Sequence, residues 1–108
     1  MDGVGVLQKT KELVLKALGN QDVQIYLFGS WARHEQKKSS DIDIAIEGKE
    51  NISALVCNLR EQLENSIIPF RFDVVDMGFA SEILKQRIRR EGILWKEFKN
   101  DLSLPKKR

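Results

Sequence analysis

Apolar positions along the chain switch several times between a helical and a strand period. Residues 6–18 place Val6, Thr10, Leu13, Val14, Ala17 and Leu18 at helical spacing, and Gly19-Asn20 is a stop signal. Val23, Ile25, Tyr26, Leu27 and Phe28 then form a short, β-rich run ending at Gly29, the pattern of a buried strand. Strand character is lost after that, and the stretch from Ser30 to about Gln36 predicts a short helix with Ser30 in its first turn. Lys37-Lys38-Ser39-Ser40 reads as a polar loop. Asp41 to Ile46 begins with strict alternation, so a second strand is expected there.

Gly48 to Asn51 is a turn, and Asn51 or Ser53 can cap the helix that follows. On that helix Ile52, Leu55, Val56, Leu59 and Leu63 make one apolar stripe, with Cys57 beside it as a small core or boundary residue. Pro69 separates the helix from a third strand, Phe70 to Asp76. Met77-Gly78 turns the chain into a helix over about residues 80–91, ended by Gly92. Ile83, Leu84 and Ile88 are expected inward on it, and Lys85, Arg87, Arg89 and Arg90 outward. Ile93-Leu94-Trp95 can add a last short strand, with Trp95 in the core. The order α-β-α-β-α-β-α(-β) implies a layered α/β (α+β) fold, a small mixed sheet of three to four strands flanked by helices.

Composition narrows the class. With 108 residues, 42% of them hydrophobic and 31% charged, the chain is expected to be one soluble domain over residues 1–99 with a basic tail at 100–108. No apolar run approaches the roughly 20 residues that span a bilayer, so no membrane partner is expected. Lys9, Lys11 and Lys16 interrupt the first amphipathic stretch and argue against a signal peptide. A single cysteine suits a reducing compartment, hence the cytoplasm. The net charge of +2 is unevenly spread. Residues 1–80 carry 9 basic and 12 acidic side chains, residues 81–108 carry 9 and 4. That basic end is either a solvated helix face with a ragged Lys106-Lys107-Arg108 tail or a surface for an acidic partner or polyphosphate.

The candidate chemistry lies on the strands. Side chains two apart on a strand share a face, so Asp41 and Asp43 point one way and Ile42, Ile44 and Ile46 the other. Their Cα atoms should stand about 6.5 Å apart. If Phe72 and Val74 join the isoleucines, Asp73 falls on the side of the aspartate pair and Asp76 on the opposite one. Three gathered carboxylates repel one another unless cations neutralise them. Oxygen-only ligands suit Mg²⁺ or Mn²⁺, and two such ions would form the clamp used in phosphoryl chemistry. The competing reading has Asp41 capping a turn and Asp73 paired with Arg71 or Arg33. It would explain any one aspartate alone, whereas the three together favour metal.

Gly29 and Ser30 supply the complementary half. A glycine at a strand end lets backbone approach a ligand, and amides at a helix start point at an anion. Arg33 follows three residues on, within reach of the same polyphosphate. His34, the lone histidine, sits among Glu35, Gln36 and two lysines and reads as solvent-facing rather than as a base. Trp31 can stack on a base or pack against the sheet, and packing is the safer reading.

Gly29-Ser30, ten residues, Asp41-x-Asp43, and Asp73 within Phe72-Asp73-Val74-Val75-Asp76 together resemble the nucleotidyltransferase superfamily that includes DNA polymerase β. The match is nearest to its minimal nucleotidyltransferases, stand-alone cores of about this length, and spans roughly residues 5–97. That resemblance implies Mg²⁺-dependent transfer of a nucleoside monophosphate from ATP or another NTP with release of pyrophosphate. Asp41 and Asp43 would hold metal, with Asp73 helping to position or deprotonate the acceptor hydroxyl. Gly29, Ser30 and Arg33 would hold the triphosphate. Minimal members often pair with a helical HEPN-class toxin and can attach AMP to its tyrosine, so a protein adenylyltransferase antitoxin is implied. His34 departs from the family, where many members carry glycine after the arginine.

The alternatives are a binding antitoxin on the same fold, neutralising its partner by contact, and a small-molecule nucleotidyltransferase. The second usually carries an extra acceptor domain for which this chain has no room. No aromatic-basic interleaving offers a nucleic-acid surface, so direct nucleic-acid binding is not expected. Homo- or hetero-oligomers remain open.

Overall fold

Strand period and helix period separate the two sides of one sheet. In the computed structural model, which describes residues 3–37 and 39–99, helix α1 (Gly3–Leu18) leads into strand β1 (Val23–Phe28) and, after a loop, strand β2 (Ile42–Gly48). Helix α2 (Ser53–Glu64), strand β3 (Phe72–Asp76), helix α3 (Glu82–Glu91) and strand β4 (Ile93–Lys96) complete the order. The mixed α/β class and the small mixed sheet are as the patterning predicts, with four strands, but three α-helices stand where four were expected. The expected tail from residue 100 lies outside the described residues. No described helix is long and apolar enough to cross a membrane.

The strands lie in the order β3-β2-β1-β4. β1 runs antiparallel to both β2 and β4, while β2 and β3 are parallel, joined through α2. One face carries the main core: Ile25 and Leu27 of β1, Ile42, Ile44 and Ile46 of β2 and Val74 of β3, packed under α1 and α2. From the helices Val6, Val14 and Leu18 and Val56, Leu59 and Leu63 meet them. Thr10 is buried there too, its hydroxyl donating to the Val6 carbonyl at 2.8 Å, which removes the cost of an unpaired polar group. The other face carries a much smaller cluster of Tyr26, Ala45, Met77 and Ile88 beneath α3.

Several local expectations shift. The N-cap of α2 is Ile52, but Asn51 still serves the helix start, its Oδ1 accepting the Ser53 N–H at 2.8 Å. Ser81 caps α3 by accepting from Leu84 N–H at 3.1 Å, so the helix begins at Glu82. Gly92 ends α3 without a left-handed turn (φ −74°); its role is room, since a Cβ there would sit 2.5 Å from the Ile88 carbonyl oxygen. Cys57 is exposed rather than at the core boundary, and Ile83 is 76% exposed rather than inward. Trp95 is half-buried against the main core. Arg60 of α2 covers the outer edge of β3, donating to the Val74 carbonyl at 2.7 and 3.3 Å.

Leu59 is fully buried between α2 and the sheet, whereas Cys57, two positions away, faces solvent. Leu59→Ala should therefore cost about 2–5 kcal/mol and Cys57→Ser less than about 0.5 kcal/mol, both read by urea denaturation.

Candidate active site

The ends of three neighbouring strands build the site. β1 closes at Phe28, and the chain turns at Gly29 with a left-handed φ of +76°. In register, Phe28 lies beside Asp43, and Asp43 lies beside Asp73 across the parallel β2–β3 pair. Neighbouring strands are about 4.8 Å apart, so Asp43 and Asp73 project from adjacent positions on the same face. Gly29 closes the row. A Cβ on it would stand 2.1 Å from Asp43 Oδ2, so only glycine allows both the turn and the carboxylate. Asp41 sits just before β2 and is exposed, Asp73 is exposed, and Asp43 is half-buried. Asp76 leaves the face by parity; its side chain accepts from Gly78 N–H at 2.9 Å and shapes the turn after β3.

The helix expected from Ser30 to Gln36 is only one 3-10 turn, Gly29–Trp31. Arg33 N–H still bonds the Gly29 carbonyl at 3.2 Å, but Glu35 N–H reaches back to Ser30, and His34 takes a left-handed φ of 60° that a helix cannot continue. Trp31 holds this turn from inside. Its ring is buried edge-on against Phe70, centroids 5.5 Å apart at 85°, and its Nε1–H donates to the Ser40 carbonyl at 3.4 Å. Packing, not base stacking, is what this tryptophan does. His34 itself is exposed.

Among the described residues none of Asp41, Asp43 and Asp73 takes an ion-pair partner, so the pairing of Asp73 with Arg71 or Arg33 does not form. Arg33 instead contacts Glu35 at 3.0 Å and Glu91 at 3.9 Å. Burial, then the charges of Asp73 and Asp41, push the Asp43 carboxyl up to about 6, with Arg33 pulling weakly the other way. A cation would relieve that repulsion, and an all-oxygen donor set suits a hard divalent ion. The charge pattern fits such an ion, although among the described residues no three acidic, histidine or cysteine side chains stand as a ready-made metal cage.

Beside this row α3 adds residues that carry no local signal in the sequence. Phe28, Gly29 and Arg33 form one wall of a cleft of about 100 Å³, and Leu84, Arg87, Ile88 and Glu91 form the other. Gly29 is thus shared between the cleft and the Asp43 contact.

Comparison with known proteins fits this geometry. The family model described as "Polymerase beta, Nucleotidyltransferase" matches residues 11–100. The chain belongs to the polymerase beta nucleotidyltransferase family. The probable protein adenylyltransferase MntA of Haemophilus influenzae is 30% identical over 102 residues, covering 90% of each chain. Among solved structures, a toxin-antitoxin with AMP-PNP aligns at a TM-score of 0.68 and 28% identity, over 81% of this chain and 73% of that one. A tri-AMPylated Shewanella oneidensis HEPN toxin in complex with MNT antitoxin aligns at 0.55 and 28%, over 83% and 71%. The resemblance read from the motif spacing is therefore a real kinship, and the nucleotidyltransferase class of the chain goes with it.

In this nucleotidyltransferase Asp43 is an acid held above its ordinary value of 3.8, so its ionisation opposes folding. The penalty is absent below 3.8, grows as pH rises through 6, and is complete above about 7. Without divalent ions, Asp43→Asn should stabilise the fold by about 1 kcal/mol at pH 7.5, a figure scaled down for solvent screening. The gain should fade toward pH 4 in urea unfolding. His34→Gly, which frees a strained backbone, should add about 0.5–1 kcal/mol, a rise of a few degrees in Tm by thermal melting.

Proposed function

We propose that the protein is a Mg²⁺-dependent protein adenylyltransferase. On this reading it moves AMP from ATP onto a hydroxyl, a tyrosine, of a HEPN-type toxin and so acts as the antitoxin of that pair in the cytoplasm. The observation that carries this reading is the row formed by Gly29, Asp43 and Asp73 at the ends of three adjacent strands. Support comes from the relatives: one is called a protein adenylyltransferase, one is a toxin-antitoxin with AMP-PNP, and one is an AMPylated HEPN toxin with its antitoxin.

Asp41, Asp43 and Asp73 would hold one or two Mg²⁺ ions, which when bound would offset the charge of the triphosphate. The backbone at Gly29 and Ser30, the Ser30 hydroxyl and the Arg33 guanidinium would hold the phosphates. Asp73, exposed at the outer strand, would take the proton of the incoming hydroxyl. The acceptor oxygen then bonds to the α-phosphorus as the bond to the β-phosphate bridge breaks, and pyrophosphate leaves with that electron pair. On this reading the surface that presents the hydroxyl would come from the partner, as the toxin-antitoxin complexes among the relatives suggest.

Incubation with α-labelled ATP, Mg²⁺ and a HEPN partner should label the partner. Asp41→Asn/Asp43→Asn should reduce the rate by about 100-fold or more. Replacing the acceptor tyrosine by phenylalanine should abolish the label. Equal labelling by the double variant would overturn the assignment, and rescue of cells from the toxin by that variant would instead favour neutralisation by contact.

A further inference from the structure

We infer that Arg87 of α3 positions the outer phosphates of the bound nucleotide, the pair that departs as pyrophosphate; this rests on the nucleotidyl-transfer reading above. The cleft of about 100 Å³ between α3 and the Gly29 corner is the first observation. Pockets for whole small molecules begin at about 300 Å³, so it has room for part of a nucleotide and not for a nucleoside with its phosphates. Gly29 belongs both to this cleft and to the contact with Asp43. A row of phosphates whose α unit lies at the aspartates therefore enters the cleft at its β and γ units.

The second observation is which cation is available there. Lys85 is engaged with Glu82, Arg89 with Glu47, Arg90 with Glu91, and Arg33 with both Glu35 and Glu91. Among the described residues the Arg87 side chain has neither an ion pair nor a hydrogen bond, and it lines the cleft. Its guanidinium can take phosphate oxygens in a fork without giving up an existing partner. The third is the direction of α3. The helix ends at Glu91 beside the corner, so its partial negative end and the Glu91 carboxylate both disfavour an anion there. A cation from the helix itself offsets this and, with Arg33 on the opposite wall, makes the cleft suitable for polyphosphate. As a solvated face residue, Arg87 would have no effect that distinguishes one phosphate from three.

That distinction is the test. Calorimetry with Mg²⁺ should compare ATP, AMP and pyrophosphate on wild type, Arg87→Ala and Arg87→Lys, with circular dichroism checking the fold. Arg87→Ala should weaken ATP and pyrophosphate by about 10-fold or more and leave AMP unchanged, because a charge-assisted bond is worth about 1.5–3 kcal/mol. Arg87→Lys should recover part of the loss, and in steady-state transfer KM for ATP should rise more than kcat falls. ATP binding by Arg87→Ala equal to wild type, or equal weakening of ATP and AMP, would overturn the role of Arg87 and leave the transfer reading standing. Wild type that takes up neither ATP nor pyrophosphate would overturn both.

Discussion

Two like charges are held side by side by strand register, and the rest of the structure makes that tolerable. Asp43 and Asp73 occupy facing positions on parallel neighbours, and a slip of one residue would carry either to the opposite face. What prevents the slip is on the other side of the same strands, where Ile42, Ile44 and Ile46 are fully buried and Val74 nearly so. Burying each such side chain is worth about 1.5–3 kcal/mol, well above the roughly 1 kcal/mol that burial of Asp43 and the screened repulsion from its acidic neighbours cost together. The core therefore decides the register, and the carboxylates accept it. A site assembled this way needs no helper loop to bring its acids together.

β2 also shows how one strand divides three tasks. On its helix-free end it presents Asp43, next along the same face Ala45, and beyond that Glu47. Ala45 is small enough for α3 to settle on the sheet through Ile88, with Tyr26 and Met77 around it. Glu47 receives Arg89 and ties the helix from its exposed flank. The cluster under α3 stays small because that face has to leave the Asp43 end uncovered. It is the lighter of the two cores, and α3 borders the Gly29 corner along one side, through Leu84, Arg87, Ile88 and Glu91.

Much of this was legible because strand parity is a strict rule. The alternation of Asp41 to Ile46 pairs Asp41 with Asp43, that of Phe72 to Asp76 adds Asp73 once Phe72 and Val74 are taken as core, and the structure puts Asp43 and Asp73 in register on one face. What parity cannot supply is which residues meet from distant elements. The short helix after Ser30 fails because Trp31 is drawn into the core and His34 turns left-handed, and both are consequences of tertiary placement. Ile83 is left outside because α3 touches the sheet along the narrow line of Leu84 and Ile88. Arg87 looks like any outward arginine until the antiparallel return of β4 along β1 is known, since that return brings the end of α3 past Gly29.

The ten residues between Ser30 and Asp41 follow from the same geometry. β1 and β2 are antiparallel, so the chain that leaves beside Asp43 must come back to start β2 at almost the same place. A tight two-residue turn would close such a hairpin, but it would use Gly29 and Ser30 as turn residues and tie up their amides. The longer loop leaves them at the strand end, against Asp43. Length alone would make the loop loose. Trp31 removes the looseness: it anchors the beginning of the loop to Phe70 ahead of β3 and to Ser40 ahead of β2, so one buried ring fixes both ends. Spacing and packing are then two statements of one requirement, that the glycine corner and the aspartate strand be brought together from a fixed distance along the chain.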